Sequence, residues 1–499
     1  MIKQNLRLEI GEDEKKLLPG SNARILKKSL DARRKNDIHY VLTIGTEEPL
    51  ALLRPPALSS PPAVRPIVVG SGPAGLFAAL YLARAGACPL LLERGSDALT
   101  RKAAIDSFKS GGAFSERNNA QFGEGGAGTF SDGKLNTGTH DARIAQVLQI
   151  FYEHGAGEQV LYDSKPHLGT DRLINIVQSI RNEIISLGGQ ALFNTKLENL
   201  IIKEGRLTGI IANGQRLDCE NLILAVGHSA RDTFEALHAL GIPMERKAFS
   251  LGARIEHPQE DINLAQYGNL LPKKKLSLLP AADYKLSFGG VYSFCMCPGG
   301  YVFPANSSEN SICTNGMSYS GRAGKNANSA ILAGVRPEEF PGSGVLAGMR
   351  WQEELERSAF SFSGSYFAPA QLLGDFLAGR GSRAFGSVEP SYLPGVVPAD
   401  LSSILPGFVC EKIRCALPEF GKKLRGFDRA DAVLTGPETR SSSPVRILRG
   451  ESFESSVKGL FPCGEGAGYS GGITSSAVDG LRCAEALLKK YISEVNHEL

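Results

Sequence analysis

The sequence lacks a Cys-x-x-Cys pair, an apolar N-terminal core and an excess of either charge, and each absence removes a class of protein. Without closely paired cysteines a tetrahedral zinc centre has no ready ligand set, and no metal is expected. The nine cysteines, at 88, 219, 295, 297, 313, 410, 415, 463 and 483, are odd in number and scattered, so they form no disulfide framework. The opening MIKQNLRLEIGEDEKK carries charge where a signal peptide needs an apolar core, which predicts a cytoplasmic protein without an export signal. Pro66–Ala83 runs 18 residues without a charge, close to the length of a membrane span, but three glycines and two prolines argue against one. With 55 Lys and Arg against 52 Asp and Glu, nothing demands nucleic acid, and no DNA partner is expected. At 499 residues and 42% hydrophobic composition the chain holds two or three domains with substantial cores.

What is present centres on Arg65–Arg94, which reads as strand, glycine turn, helix, strand and an acidic residue. The glycines fall at Gly70, Gly72 and Gly75 between an apolar strand and an unbroken apolar helix, the context a dinucleotide-binding βαβ unit requires. Gly70 allows the sharp turn, Gly72 a close approach of backbone to pyrophosphate, and Gly75 close helix–strand packing. Ser71, Pro73 and Ala74 complete the turn, which presents a helix N-terminus to the pyrophosphate. Glu93, followed by Arg94, ends the second strand, where a carboxylate accepts hydrogen bonds from ribose hydroxyls and repels a 2′-phosphate. The ligand is therefore FAD or NAD.

Taken in order, residues 1–53 read as a small αβ domain with strands IKQNLRLEI and DIHYVLTIG, and 54–64 as a proline-rich linker. Arg24–Lys35 has six basic residues against one acidic, either a solvated face or a surface for an anionic partner. Asn119–Thr137 is dense in glycine, including Gly125 and Gly126, and interleaves Phe122, Phe130, Ser131, Asp132 and Lys134, which suits a cofactor cradle better than a linker. A helix capped by Thr170 or Asp171 follows, then ALFNT, LENLII and LTGIIA as a three-stranded meander. NLILAVG, Asn221–Gly227, reads as a strand buried on both faces that returns to the dinucleotide sheet. The first part of the dinucleotide-binding domain is thus 65–235, an inserted α+β domain covers 236–430, and 431–499 completes the first domain with a second glycine turn and a helix after Gly471 and Gly472.

The runs QFGEGGAGTFSDGKLNT, KPHLGTDRL, AVGHSARDT, YSFCMCPGG, TGPETRSSSPVRI and PCGEGAGYSGGI, with KKSLDARRKNDIHYV near the start, are similar to a bacterial family of FAD-dependent dehydrogenases of unassigned substrate. That family lies within the glutathione-reductase-like flavoproteins. The resemblance implies an α/β, Rossmann-like FAD-binding domain with parallel sheet and β-meander. It also implies that Gly464 and Glu465 hold the ribityl chain or pyrophosphate, and that Gly471, Gly472 and Ile473 present N–H groups to the flavin. Glu465 stands where an aspartate is commoner.

The expected activity is hydride exchange between FAD and a small organic substrate, with NAD(P)H at most a transient visitor because no second glycine-rich βαβ unit follows residue 95. A flavoprotein acting on RNA through Arg24–Lys35 and Lys422-Lys423, or a non-catalytic FAD-binding protein, are the alternatives. His228 reads as a general base or a structural histidine, and Arg440 as an anion site or part of a closing turn. Cys295 and Cys297, two apart in a strand, are expected on one wall of the cleft: as catalytic candidates they read as a redox pair or soft substrate contacts, and the preferred readings are pocket-shaping thiols without a catalytic disulfide or buried hydrophobes.

Overall fold

The computed structural model describes residues 2–18, 22–46 and 54–498. Residues 47–53 of the N-terminal unit lie outside them.

Five parallel strands form the central sheet in the order Leu460–Pro462, Leu222–Leu224, Ile67–Val69, Leu90–Leu92, Gln190–Leu192. Strand alternation splits their side chains between two cores. Val68, Leu91, Ile223 and Phe461 face the helices Pro73–Arg84, Thr170–Ser186 and Ile473–Glu498. Ile67, Val69, Leu90, Leu92, Leu222 and Leu224 face a meander layer that includes Leu197, Leu200, Leu207 and Ile210. Burial on both faces explains why these strands read as continuous apolar runs. The meander itself is Leu197–Lys203, Arg206–Ala212, Gln215–Asp218. The first two residues of the expected first meander strand, ALFNT, instead belong to Gln190–Leu192 at the edge of the parallel sheet, because the crossover helix before it returns the chain parallel to Leu90–Leu92.

The N-terminal unit departs from its αβ reading. Arg24–Asp31 is a strand, pairing with His39–Gly45 in a three-stranded antiparallel sheet, and the helical content among the described residues is one 3-10 turn at Glu14–Leu17. Three of the six basic residues of Arg24–Lys35 are engaged: Lys28 pairs with Glu14, Arg33 with Asp31, and Lys35 donates to the carbonyl of Ala265. Lys422 likewise meets Glu419, and Lys423 the carbonyl of Ser287.

Between residues 249 and 438 lies an eight-stranded, mainly antiparallel sheet. Its long strands Phe249–Pro258, Val291–Pro304 and Asn326–Val335 bury one face against the helix Gly407–Lys423. The boundary expected at 430 falls too early, since Val433–Glu438 pairs with Phe249–Pro258. The start expected at 236 also falls early, inside the helix Arg231–Ala239. Thr170 and Asp171 are not the cap of their helix: Gly169 holds that position, and Asp171 accepts from the backbone N–H and hydroxyl of Ser320.

The two sheets are joined through one carboxylate. Glu356 accepts from Arg231 at 2.9 and 3.0 Å, from Arg440 at 2.6 and 2.9 Å and from the Thr439 hydroxyl at 2.7 Å, with no exposed side-chain surface. Burial alone raises its carboxyl, but the two guanidinium groups outweigh that and hold it far below the usual carboxylate range. A depressed folded pKa gives stability that is complete above the unfolded glutamate value of about 4.3 and is lost as the pH falls below it. Glu356→Gln leaves two buried cations uncompensated and should cost about 3–5 kcal/mol. It should also flatten the acid limb of stability, measured by denaturant unfolding at several pH values.

Candidate functional site

A cavity of about 580 Å³ opens at the carboxyl ends of the parallel strands and extends to the second sheet. That volume is typical of a small-molecule or cofactor site, and its position is where open α/β sheets bind ligands. Residues expected to meet a cofactor converge there from distant segments: Gly70, Gly72, Pro73 and Ala74; Glu93 and Arg94; Gly126, Ser131, Asp132 and Lys134; Gly227; Gly464, Glu465, Gly471, Gly472 and Ile473. His228 and Cys295 line it as well. Ser71, Gly75, Gly125 and Cys297 do not, and act behind the wall.

The glycines of the first turn differ in what they make possible. A Cβ on Gly75 would lie 1.8 Å from the Gly70 carbonyl oxygen, so packing of helix on turn excludes any side chain there. A Cβ on Gly72 would meet nothing closer than Gly126 Cα at 3.8 Å. Its bareness serves no contact within the chain and leaves space in front of the helix N-terminus. Gly72 caps Pro73–Arg84 without a side-chain hydrogen bond, leaving the first-turn N–H groups oriented along that axis. The helix Ile473–Glu498 crosses at the same place: a Cβ on Gly480 would sit 2.1 Å from the Ala74 carbonyl oxygen. Two helix N-termini therefore open on one cavity, both favouring negative charge.

Glu93 is turned inward. Its Oε2 accepts from the Ser71 N–H at 2.9 Å and the Ser71 hydroxyl at 2.8 Å, and its Oε1 from Gly95 N–H at 2.8 Å and Gly123 N–H at 3.0 Å. Four donors fill the capacity of a carboxylate, so the side chain lines the cavity while bonding to the chain. Arg101, absent from the sequence-based site, complements Glu93 by donating to the carbonyls of Asn119 at 2.8 Å, Glu124 at 2.8 Å and Gly126 at 2.8 Å, beneath the glycine loop. Burial lowers its proton affinity, while Glu93 and Glu124 favour its charge. Asp479 was missed too; it accepts from Gly464 N–H at 2.7 Å and pairs with Arg449, fixing the second glycine turn. An aspartate inside the apolar run AVDGL was the available signal for it, whereas a lone arginine in the helix Ala98–Lys109 offered none.

Cys463, Asp479 and Cys483 lie close enough to share a cation, but Arg449 already occupies that role, donating to Asp479 at 2.6 and 3.0 Å and to Cys483 Sγ at 3.3 Å. His228 Nδ1 is 3.7 Å from a Glu465 oxygen, and its Nε2 is buried without a partner among the described residues. Arg440, which also lines the cavity, has its guanidinium engaged by Glu356, Ser229 and Ser307, so it is a structural cation rather than a free anion site.

The two strand cysteines do not share a wall. Between Phe294 and Cys297 the strand advances three residues while its partner advances two, from Ala330 to Asn328. That extra residue is a β-bulge, and it cancels the expected alternation. Cys295, with φ 42°, faces the cavity; Cys297 is fully buried, donating to the Cys295 carbonyl at 3.1 Å, and burial pushes its thiol up.

Two family models match the chain: pyridine nucleotide-disulphide oxidoreductase over residues 64–238 and FAD-dependent protein, C-terminal domain-like, over 248–441. The protein is thus an FAD-dependent oxidoreductase built on one dinucleotide-binding unit and a second, family-specific sheet. Within that class it belongs to the family of FAD-dependent proteins that includes an uncharacterized protein of Clostridium beijerinckii, 46% identical over 494 residues, or 94% of this chain and 92% of the relative. Solved structures align at lower similarity. E. coli quinol fumarate reductase does so at 12% identity and TM-score 0.38, covering 86% of this chain and 70% of its own. L-proline dehydrogenase from P. horikoshii does so at 11% and 0.36, covering 86% and 94%. Among the described residues no helix is long and apolar enough to cross a membrane.

Two outcomes follow from this geometry. Glu93→Ala strands four donors and should destabilise the apoprotein by about 3 kcal/mol or more; a loss under about 1 kcal/mol in denaturant unfolding would show that the loops hold themselves. Anaerobic dithionite titration should take up two electrons per FAD, unchanged in Cys295→Ser/Cys297→Ser, because the bulge separates the thiols. Uptake of four electrons by the parent protein alone would mean a disulfide forms.

Proposed function

We propose that FAD lies along this cavity and that a small organic substrate meets it in the cleft between the parallel sheet and the second sheet, as in a dehydrogenase of the glutathione-reductase-like class. The open space before Gly72, at the mouth of a helix whose N-terminus has no capping side chain, carries the reading. FAD, when bound, supplies two-electron transfer as a hydride.

Gly70, Ser71, Gly72, Pro73, Ala74 and Gly75 form the turn that receives the pyrophosphate. Glu93 and Arg94 border the adenosine end, with Glu93 shaping the ribose pocket through the N–H groups it gathers. Gly125, Gly126, Ser131, Asp132 and Lys134 border the flavin side, with Gly227 beneath the cofactor and Gly464 and Glu465 beside the ribityl chain. Gly471, Gly472 and Ile473 bring N–H groups and a helix dipole to the N1–C2=O edge, where they favour negative charge. A nicotinamide donor, where one serves, enters the same cleft, since the chain has one unit of this type.

The purified protein should be yellow and release FAD on denaturation; colourless folded protein that cannot be reconstituted would end the reading. Gly72→Val tests it more sharply. Its φ of −68° suits any residue and its Cβ would make only an ordinary contact, with Gly126 Cα at 3.8 Å. The variant should keep its melting temperature in the apo form, yet bind FAD at least about a hundredfold more weakly, the equivalent of about 3 kcal/mol. FAD binding equal to the parent's would place the cofactor elsewhere.

A further inference from the structure

Part of the cavity wall holds more positive than negative charge; the cofactor reading places Lys134 and Asp132 at the flavin side and gives Lys165, Lys285 and Arg322 no role. Lys134, Lys165, Lys285 and Arg322 line it, with Asp132 and Asp283 as the acids among them. Lys165 is spent on Asp283, 2.8 Å from both its oxygens. Arg322 and Lys134 share one carboxylate, Asp132, at 3.2 and 3.5 Å. Lys285 has no carboxylate partner among the described residues. Four cations against two anions leave two positive charges. Asp132 is buried and the Arg322 side chain only 13% exposed, so the field at that end of the wall is little damped by water, whereas Lys285 and Lys165 stand at the exposed mouth.

The neighbouring groups complete a recognisable chemistry. Asn315 lines the cavity; its amide oxygen accepts from Arg254 at 3.2 Å and Gly316 at 2.8 Å, which leaves its NH₂ donors without an acceptor among the described residues. Phe294, Met296 and Tyr284 add an apolar face.

We propose that the substrate is a small organic acid whose carboxylate neutralises this surplus while its apolar body rests on Phe294, Met296 and Tyr284. The inference rests on the FAD reading above, which assigns the phosphates to the glycine turns and the flavin edge to Gly471–Ile473. A carboxylate offers two oxygens to a cationic wall with amide donors, whereas a neutral substrate leaves the charges uncompensated.

The test titrates the FAD-loaded protein with acids and their amides, phenylpropionate against phenylpropionamide and succinate against succinamide, and follows the flavin absorption bands. At least one acid should bind at least about tenfold more tightly than its amide, the value of one charge-assisted hydrogen bond. Lys285→Met should bind FAD stoichiometrically at an unchanged reduction potential and lose most of that preference; Lys285→Arg should keep it. Amides that bind as well as acids, no response to any acid up to its solubility limit, or an acid preference that survives Lys285→Met would each overturn the proposal. So would a lowered flavin potential in Lys285→Met with the preference intact, which would assign the charge to the cofactor. Failure to load FAD, seen before any acid is added, overturns the cofactor reading and this inference together; failure of the preference with FAD bound overturns this inference alone.

Discussion

Two buried opposite charges hold a backbone that has little else to hold it. Glycine-rich loops bring no side chains to pack and lose more conformational freedom on folding than other segments. Here Glu93 draws the N–H groups of Ser71, Gly95 and Gly123 together, and Arg101 draws the carbonyls of Asn119, Glu124 and Gly126 from beneath. One group satisfies donors and the other acceptors, so three separate turns become one rigid floor. The floor of the cavity and the placing of the 119–126 loop against the first glycine turn depend on it.

The same division of labour recurs at larger scale. Asp479 holds the second glycine turn with Arg449 as its counter-ion, and Glu356 holds Arg231 and Arg440 across the junction of the two sheets. Each of these carboxylates is buried and fully partnered, the condition under which a buried charge is tolerated. The side chains that face the cavity are therefore positioned by ones that do not.

What the sequence disclosed was local. The spacing of Gly70, Gly72 and Gly75 between an apolar strand and helix, and Glu93 at the end of the next strand, are neighbours in the chain and left a readable pattern. The segments that converge on the cavity were readable for the same reason, each being a short glycine turn. Features set by partners far along the chain were not. ALFNT has the look of a hairpin strand, and only its pairing with Leu90–Leu92 makes it a sheet edge. The bulge at Cys295 shows in the register against Ala330 and Asn328 and in nothing local. The boundary near 430 depends on Val433–Glu438 finding Phe249–Pro258. Arg101 and Glu356 are single charged residues in helices, identical in sequence to solvated ones.

The contact of Gly480 with Ala74 joins segments made at opposite ends of synthesis. Leu460–Pro462 likewise closes the sheet only by lying beside Leu222–Leu224. Contacts of such long sequence separation form late in folding, after the loop entropy between them has been spent. While the ribosome is still adding the second sheet, the nascent first βαβ unit has its turn but neither the neighbouring helix nor the last strand. The cavity described above is therefore not closed until residues 460–480 have been made and packed against the first βαβ unit.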